Sequence, residues 1–172
     1  LAANGITSVL LNYGVHLDPG RFRLTVITGT PVEDLFRERF AKSEIDIVVL
    51  PSKRKNPVTY YIGLWRTLKK GYDIVHVHGN SATITAELLL SWLAGIPVRI
   101  AHCHNVTCDF VKIHKMLQPF MKRLCSYGFA CSKDAGKWMF GDGSFEVLPN
   151  AFDTKKFVFD KEKRDEIRQS LG

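Results

Sequence analysis

Short apolar runs alternate regularly with segments of helical pattern along the whole chain, and few architectures accommodate that order. The runs are rich in Val, Ile, Leu and Phe and carry few charges, which is typical of strands covered on both faces. Strands alternating with helices form right-handed βαβ units around a parallel sheet. The sequence therefore predicts an α/β, Rossmann-like three-layer domain with a mostly parallel sheet, its strands at 22–28, 45–50, 73–78, 98–103, 127–132 and 144–148.

Several helix boundaries carry recognisable signals. Thr30 suits an N-cap and Pro31 suits the first helical position, so a helix is predicted to begin there. Gly71 and Gly95 each follow a helical pattern, where glycine commonly ends a helix. The predicted helices are 6–17, 31–42, 57–70, 81–94, 111–125, 132–140 and 162–171.

The chain opens on a helix, preceded by residues 2–5, whose sequence Ala-Ala-Asn-Gly is typical of a strand-to-helix turn. In doubly wound sheets the first strand is usually central. We therefore expect a first strand upstream of Leu1, and a gap or a substitute strand in the sheet where it is absent.

Composition restricts the classes of partner and location. The 172 residues suit one domain, and the net charge of +7 favours anionic partners. The longest apolar run, 88–98, spans eleven residues, whereas a transmembrane helix needs roughly 20. Four cysteines and no secretory signal predict reduced thiols and a cytoplasmic protein, with a peripheral position on the inner face of the cell membrane as a further possibility.

Polar and imidazole side chains follow the predicted strands, and four of the six histidines belong to this set. The carboxyl ends of parallel strands lie together at one edge of the sheet, and ligands of such proteins bind at that edge. Single positions of this kind are often only polar loop ends, but their concentration predicts a site. The candidate residues at this edge are Asn4, Gly5, His78, His104, Asn105, Ser132 and Asn150.

The histidines raise the question of a metal. We expect His76 and His78 to face opposite sides of their strand, with His76 hydrogen-bonded in the core and His78 the better ligand contact. The spacing of His102, His104 and the neighbouring cysteines matches no common structural zinc site. The sequence therefore predicts no metal. Ser132 fits a helix N-cap, and the same helix start could instead hold an anion.

The predicted helix at 110–124 is amphipathic and basic. Its apolar stripe is Phe110, Ile113, Leu117, Phe120, Met121 and Leu124, and much of the remainder is Lys112, His114, Lys115, Lys122 and Arg123. Such a stripe packs against a core in most proteins, but a basic amphipathic helix also binds anionic membranes. The sequence leaves both interpretations open.

Three stretches together resemble the retaining glycosyltransferases of family four. Residues 73–78, Asp-Ile-Val-His-Val-His, resemble that family's D-[IV]-[IV]-H-x-H strand, and residues 96–105 resemble the next strand and its terminal histidine. Residues 129–132, followed by 147–153 and Phe157, are similar to its S…V-x-P-N-G-[VI]-D-x-x-x-F run. The resemblance is greatest to the branch that builds capsular polysaccharides and exopolysaccharides.

The resemblance implies the amino-terminal half of a GT-B architecture, which has two facing Rossmann-like domains. Residues 1–152 would form the acceptor-side domain, and 153–172 would begin the linker to a carboxyl-terminal donor domain. The implied reaction transfers a hexose from a nucleotide-diphosphate sugar to a hydroxyl of a lipid-linked or saccharide acceptor, with retention and without a cofactor. A single half would be inactive.

The resemblance also implies roles for individual residues. His104 matches the family's active-site histidine, which contacts the transferred sugar, and His78 would line the acceptor cleft. Asn4 and Gly5 match the loop that approaches the donor phosphates, although Thr7 stands where an acidic residue is common. The remaining matches are Asn105 beside His104, Asn150 before the interdomain crossing, and Ala151 in place of the customary glycine.

Two other functional classes agree with part of the sequence. A flavodoxin-like module that binds a phosphorylated small molecule shares the parallel sheet and the site at the strand ends, and it remains the alternative. A nucleic-acid binder would suit the charge of +7, but most aromatic residues lie within apolar runs and no recognised nucleic-acid motif is present. The sequence therefore predicts no nucleic-acid partner.

Overall fold

The computed structural model describes residues 5–150, 154 and 158–172. Strands and helices alternate as predicted, and all strand pairs are parallel. The elements are α1 Gly5–Gly14, β1 Thr25–Thr28, α2 Asp34–Lys42, β2 Asp46–Val49, α3 Pro57–Leu68, β3 Ile74–Gly79, a 3-10 turn Ala82–Ile84, α4 Thr85–Leu93, β4 Val98–Cys103, α5 Val111–Leu124, β5 Tyr127–Ala130, α6 Lys133–Phe140, β6 Glu146–Val147 and α7 Lys161–Leu171.

Within the described residues the strands form two sheets, β1-β2 and β3-β4-β5-β6. This division fits the gap expected for a chain that opens on a helix, and the strand upstream of Leu1 stays a prediction. Ile27 and Val75, one from each sheet, pack against the same core cluster, which includes Leu64 and Leu68 of α3. Helix α3 therefore joins the two sheets into one domain.

Helices cover the strands from both sides. Val26 of β1 packs with Leu11 of α1 and Phe36 of α2, whereas Ile27, the next residue along the strand, packs under α3. Successive strand residues point to opposite faces, so α1 and α2 lie on one face and α3 on the other. The predicted α/β, three-layer, Rossmann-like fold is confirmed.

The four-stranded sheet presents two chemically different faces. Val77, Ala101 and Ala130 point into the largest core cluster, which is closed by Leu88 of α4 and Met139 of α6. The neighbouring residues along each strand point to the opposite face, and His76, His78 and His102 are among these. This second face carries the candidate site.

Helix α2 starts later than predicted, at Asp34 rather than Pro31. The Thr28 hydroxyl accepts a hydrogen bond from the Thr30 backbone N–H at 3.2 Å and lies 2.9 Å from the Thr30 hydroxyl, so this segment forms a local turn. Val32 is buried in the core beside Phe36. The turn and the burial of Val32 hold the chain outside the helix until Asp34.

The other helix ends follow their sequence signals. Gly71 and Gly95 have φ of +92° and +83°, the left-handed conformation that ends helices at low cost for glycine. The Ser132 side chain accepts a hydrogen bond from the Ala135 N–H, which confirms Ser132 as the N-cap of α6. No helix in the described part of the chain is both long enough and apolar enough to cross a bilayer.

Candidate functional site

Four histidines from two neighbouring strands form a single cluster, which we call the histidine quartet: His76, His78, His102 and His104. The expectation that His76 and His78 face opposite sides was wrong. Their ring centroids lie 4.2 Å apart and the rings are stacked. Side chains alternate between the two faces of a strand, so residues two positions apart, such as His76 and His78, point to the same face.

Strand register brings the two pairs together. His78 of β3 lies directly opposite His102 of β4. Nε2 of His76 is 3.1 Å from Nδ1 of His102, and Nδ1 of His78 is 2.8 Å from Nε2 of His104. Each of these pairs can share one proton when one ring donates and the other accepts. The quartet is therefore a hydrogen-bonded group at the carboxyl end of β3 and β4.

The surroundings of the quartet favour neutral imidazoles. Burial, together with smaller effects of His104 and His76, lowers the pKa of His102 to about 3, because neighbouring rings resist a second positive charge. Burial is also the main cause of the lowered pKa of His78 and of His104. At neutral pH the rings therefore act as hydrogen-bond donors and acceptors rather than as cations.

His104 and Asn150 come together at the predicted edge. Hydrogen bonding of the His104 ring to the Asn150 side chain partly offsets the effect of burial on the pKa of His104. Asn150 is exposed, and the preceding Pro149 carbonyl accepts a hydrogen bond of 2.5 Å from the Tyr13 hydroxyl of α1. The structure thus places two predicted site residues, His78 and Asn150, beside His104.

Gly5 begins α1, and no described heavy atom lies within 4 Å of the position that a Cβ would occupy there. Among the described residues nothing therefore blocks a close approach to the Gly5 backbone, and a helix N-terminus attracts anions. Asn4 and Ala151 lie outside the described residues.

Asn105 and Ser132 are both engaged in local backbone structure. The Asn105 side chain accepts a hydrogen bond of 2.8 Å from the Val106 N–H, and the Asn105 carbonyl accepts one from the Cys103 thiol. Ser132 caps α6. These contacts are structural, and a role in substrate binding for either residue stays a prediction.

Comparison with known proteins adds to this geometry. The family model described as Glycosyltransferase Family 4 matches residues 3–156, which is most of the chain. This chain belongs to glycosyltransferase family 4. The matched range includes the whole histidine quartet and Asn150.

One curated protein and one solved structure are similar to this family 4 chain. The protein named "Putative glycosyltransferase EpsF" from Bacillus subtilis (strain 168) is 26% identical over 185 residues, which cover 98% of this chain and 47% of the relative. The crystal structure of Anabaena Alr3699/HepE in complex with UDP has a TM-score of 0.69 and 17% identity, covering 99% of this chain and 47% of that one. The chain therefore spans about half the length of these relatives, and the second likeness establishes the fold alone.

A polar network that sequence reasoning missed lies near the same edge of this family 4 domain. Lys53, which follows β2, forms an ion pair of 2.5 Å with Glu87 in the first turn of α4. The Glu87 side chain is 10% exposed, and its Oε2 has no hydrogen-bond partner among the described residues. Burial is the largest single effect and lowers the pKa of Lys53, but the charge and hydrogen bond of Glu87, with smaller contributions from Tyr61, together leave that pKa raised. The two residues are 34 apart in sequence, so no local pattern signals their contact.

One residue of helix α5, His114, is buried although the sequence predicted it among the polar residues of the helix. Its Nδ1 accepts a hydrogen bond from the Ala82 N–H, and its ring stacks on Trp138 at 4.3 Å. Met121 is also buried, whereas Met116 and Phe120 are 62% and 58% exposed. Part of the predicted apolar stripe is therefore core, and another part faces outward beside the basic residues.

Proposed function

We propose that this chain is the acceptor-side part of an enzyme that transfers a hexose from a nucleotide-diphosphate sugar to an acceptor hydroxyl, with retention at the anomeric carbon. The observation that carries the proposal is the convergence of His78, His104 and Asn150 at the carboxyl edge of a family 4 domain. Parallel α/β sheets bind their ligands at this edge.

His104 is the residue to which we assign direct contact with the transferred sugar. A neutral imidazole can donate to or accept from a sugar hydroxyl, and a hydrogen bond from a fixed donor stabilises charge that develops in the transition state. His78 holds the His104 ring through their 2.8 Å contact. This pair supports a role in positioning and electrostatic stabilisation, since catalysis depends on holding the reacting atoms in place.

The nucleotide-diphosphate donor is supported by two observations. The N-terminus of α1 at Gly5 is open and suits a phosphate group. The Anabaena structure of similar fold is a complex with UDP, which favours a uridine nucleotide as the first donor to test. We assign no cofactor to the transfer, and a panel of donors must identify the transferred sugar.

The acceptor is proposed to be lipid-linked or a saccharide, reached from an anionic membrane surface. Phe110 and Ile113 are 64% and 44% exposed at the start of α5, close to the edge that carries His104, because this helix follows β4. Exposed Phe120 continues the apolar strip, and four basic residues flank it: Lys112, Lys115, Lys122 and Arg123. Apolar insertion and cationic attraction are the two features of a membrane-surface helix. A peripheral position on the inner face of the cell membrane follows from this proposal.

The domain boundary belongs to the same proposal. Residues 1–152 would be the acceptor-side domain, and 153–172 would lead to a carboxyl-terminal domain that holds the donor. Helix α7 has no buried residue, which suits a segment that packs elsewhere. The match to about half of each relative also favours a second domain, without which this part would be inactive. Capsular or exopolysaccharide synthesis is the proposed context, and no nucleic acid is a proposed partner.

The test is turnover by the full-length protein with a panel of nucleotide-diphosphate hexoses, UDP-sugars first, and lipid-linked and free saccharide acceptors. Nuclear magnetic resonance of the product gives its anomeric configuration. A glycoside with the configuration of the donor supports the proposal, and an inverted product contradicts retention. Absence of transfer from every donor and acceptor favours the phosphorylated-ligand module instead.

A further inference from the structure

Three members of the histidine quartet lie close enough together to be ligands of one metal ion. His76, His78 and His102 each offer a ring nitrogen, and these nitrogens all lie within 4.8 Å of one another. Two strands of a parallel sheet hold them, so the backbone fixes their relative positions before any ligand binds. Preorganised ligands of this kind are what a metal site requires.

One pair of these nitrogens already lies near the separation that coordination requires. Two nitrogens bound at about 2.0–2.1 Å to one tetrahedral zinc ion lie roughly 3.3 Å apart. Nε2 of His76 and Nδ1 of His102 are 3.1 Å apart without any ion. The cluster is therefore compact enough for one ion to replace the hydrogen bond between these rings.

The range of exposure of the three residues also suits a bound ion. His102 is completely buried, so an ion bound to its ring would be shielded from solvent on that side. His76 is exposed, which gives an ion a route from solvent.

We propose that His76, His78 and His102 bind one zinc ion, or a similar borderline transition-metal ion, with the fourth position of the ion open. Three nitrogen ligands and no carboxylate favour this class over calcium or magnesium, which prefer oxygen. His104, at 2.8 Å from His78, stands as an outer partner that orients a ligand. The proposal goes beyond the transferase assignment, which names no metal, and differs from the expectation drawn from histidine spacing.

The test is calorimetric titration of untagged full-length protein, stripped with chelator, with Zn²⁺ alone. The expected result is one saturable equivalent per chain and a raised melting temperature, because binding to the native state alone stabilises it. Titration with Co²⁺ reports the ligand type: nitrogen ligation gives visible ligand-field bands without a sulfur-to-cobalt charge-transfer band. A strong sulfur band would assign the ion to the cysteines and overturn the proposal.

His76→Gln is the informative variant, because this exposed position tolerates substitution best. It should weaken Zn²⁺ binding at least about 10-fold, the lower end of the effect seen for residues that merely support ligands. The matched control is His16→Gln, an exposed histidine outside the quartet, which should bind as wild type does. If His76→Gln does not fold, His78→Gln replaces it. No saturable binding by the wild type, or equal affinity in the quartet variant, contradicts the proposal.

Discussion

His78 of β3 and His104, which directly follows β4, share a hydrogen bond of 2.8 Å between Nδ1 and Nε2. The contact exists because β3 and β4 run parallel in register. It fixes the orientation of the His104 ring at the edge of the sheet. The assigned role of His104 in sugar transfer thus depends on the strand pairing as well as on the imidazole itself.

The free energy of unfolding should decrease as the pH is lowered, in part because His114 becomes protonated. Burial lowers the pKa of this residue, and protonation would remove the Nδ1 lone pair that accepts from Ala82. Because the folded-state pKa lies below the unfolded value of about 6.5, the unfolded state binds more protons below that pH, and the stabilisation is lost as pH falls from there towards the folded-state pKa. Each such proton contributes at most about 1.4 kcal/mol per pH unit.

Urea denaturation of the wild type and of His114→Gln between pH 7 and pH 5 measures this contribution. The wild type should show the steeper fall in the free energy of unfolding, although the variant is less stable at pH 7. Parallel pH dependence in the two proteins would mean that His114 is not held neutral by its contacts.

The ion pair of Lys53 and Glu87 should respond asymmetrically to substitution. Glu87 is nearly buried, whereas the Lys53 side chain is 38% exposed and can turn to water. Lys53→Met leaves a buried carboxylate without its partner, which costs about 1–3 kcal/mol once solvent access is allowed for. Glu87→Gln leaves an ammonium group that is easily hydrated, so its cost should be smaller.

Urea midpoints of the two variants and of the double variant decide this point. The double variant should be more stable than Lys53→Met, because it contains no unpaired charge. Equal losses for the two single variants would show that the pair is effectively solvent-screened.

Membrane binding should depend on the position of the basic residues and not on net charge. Neutralising Lys112, Lys115, Lys122 and Arg123 to Gln should weaken co-sedimentation with anionic vesicles at least about 10-fold, since each basic residue near such a surface contributes on the order of 1 kcal/mol. The matched control neutralises four exposed basic residues of α7, which removes the same charge: Lys161, Lys163, Arg164 and Arg168. Equal binding of the two variants, whether both bind strongly or both bind weakly, would remove α5 as the membrane surface.

The sheet and its helices were predictable because apolar periodicity reports strands and helices over many residues. Strand 98–103 was predicted with its observed boundaries, whereas 22–28 was shortened to Thr25–Thr28. The start of α2 was missed because the hydroxyl contacts of Thr28 and the burial of Val32 are tertiary and local effects that compete with a good capping sequence. Local signals thus predict the presence of elements better than their ends.

The candidate site was predictable only in part. Histidines at strand ends located the edge, but the quartet was missed through a wrong assignment of faces within β3. Its pairing across β4 also needs the strand register, which the sequence does not display. Lys53 and Glu87 show the same limit, because a lysine after a strand and a glutamate in a helix are ordinary until the fold brings them to 2.5 Å.

The most direct test of the account is the rate of sugar transfer by full-length His104→Ala, measured beside His16→Ala under saturating donor and acceptor. Loss of the group that contacts the transferred sugar should lower kcat by about 10²-fold or more. His16 is exposed and outside the quartet, so its variant should turn over at the wild-type rate. Melting temperatures of both variants verify that they are folded. A folded His104→Ala enzyme with wild-type turnover would contradict the assignment of this sheet edge as the transfer site.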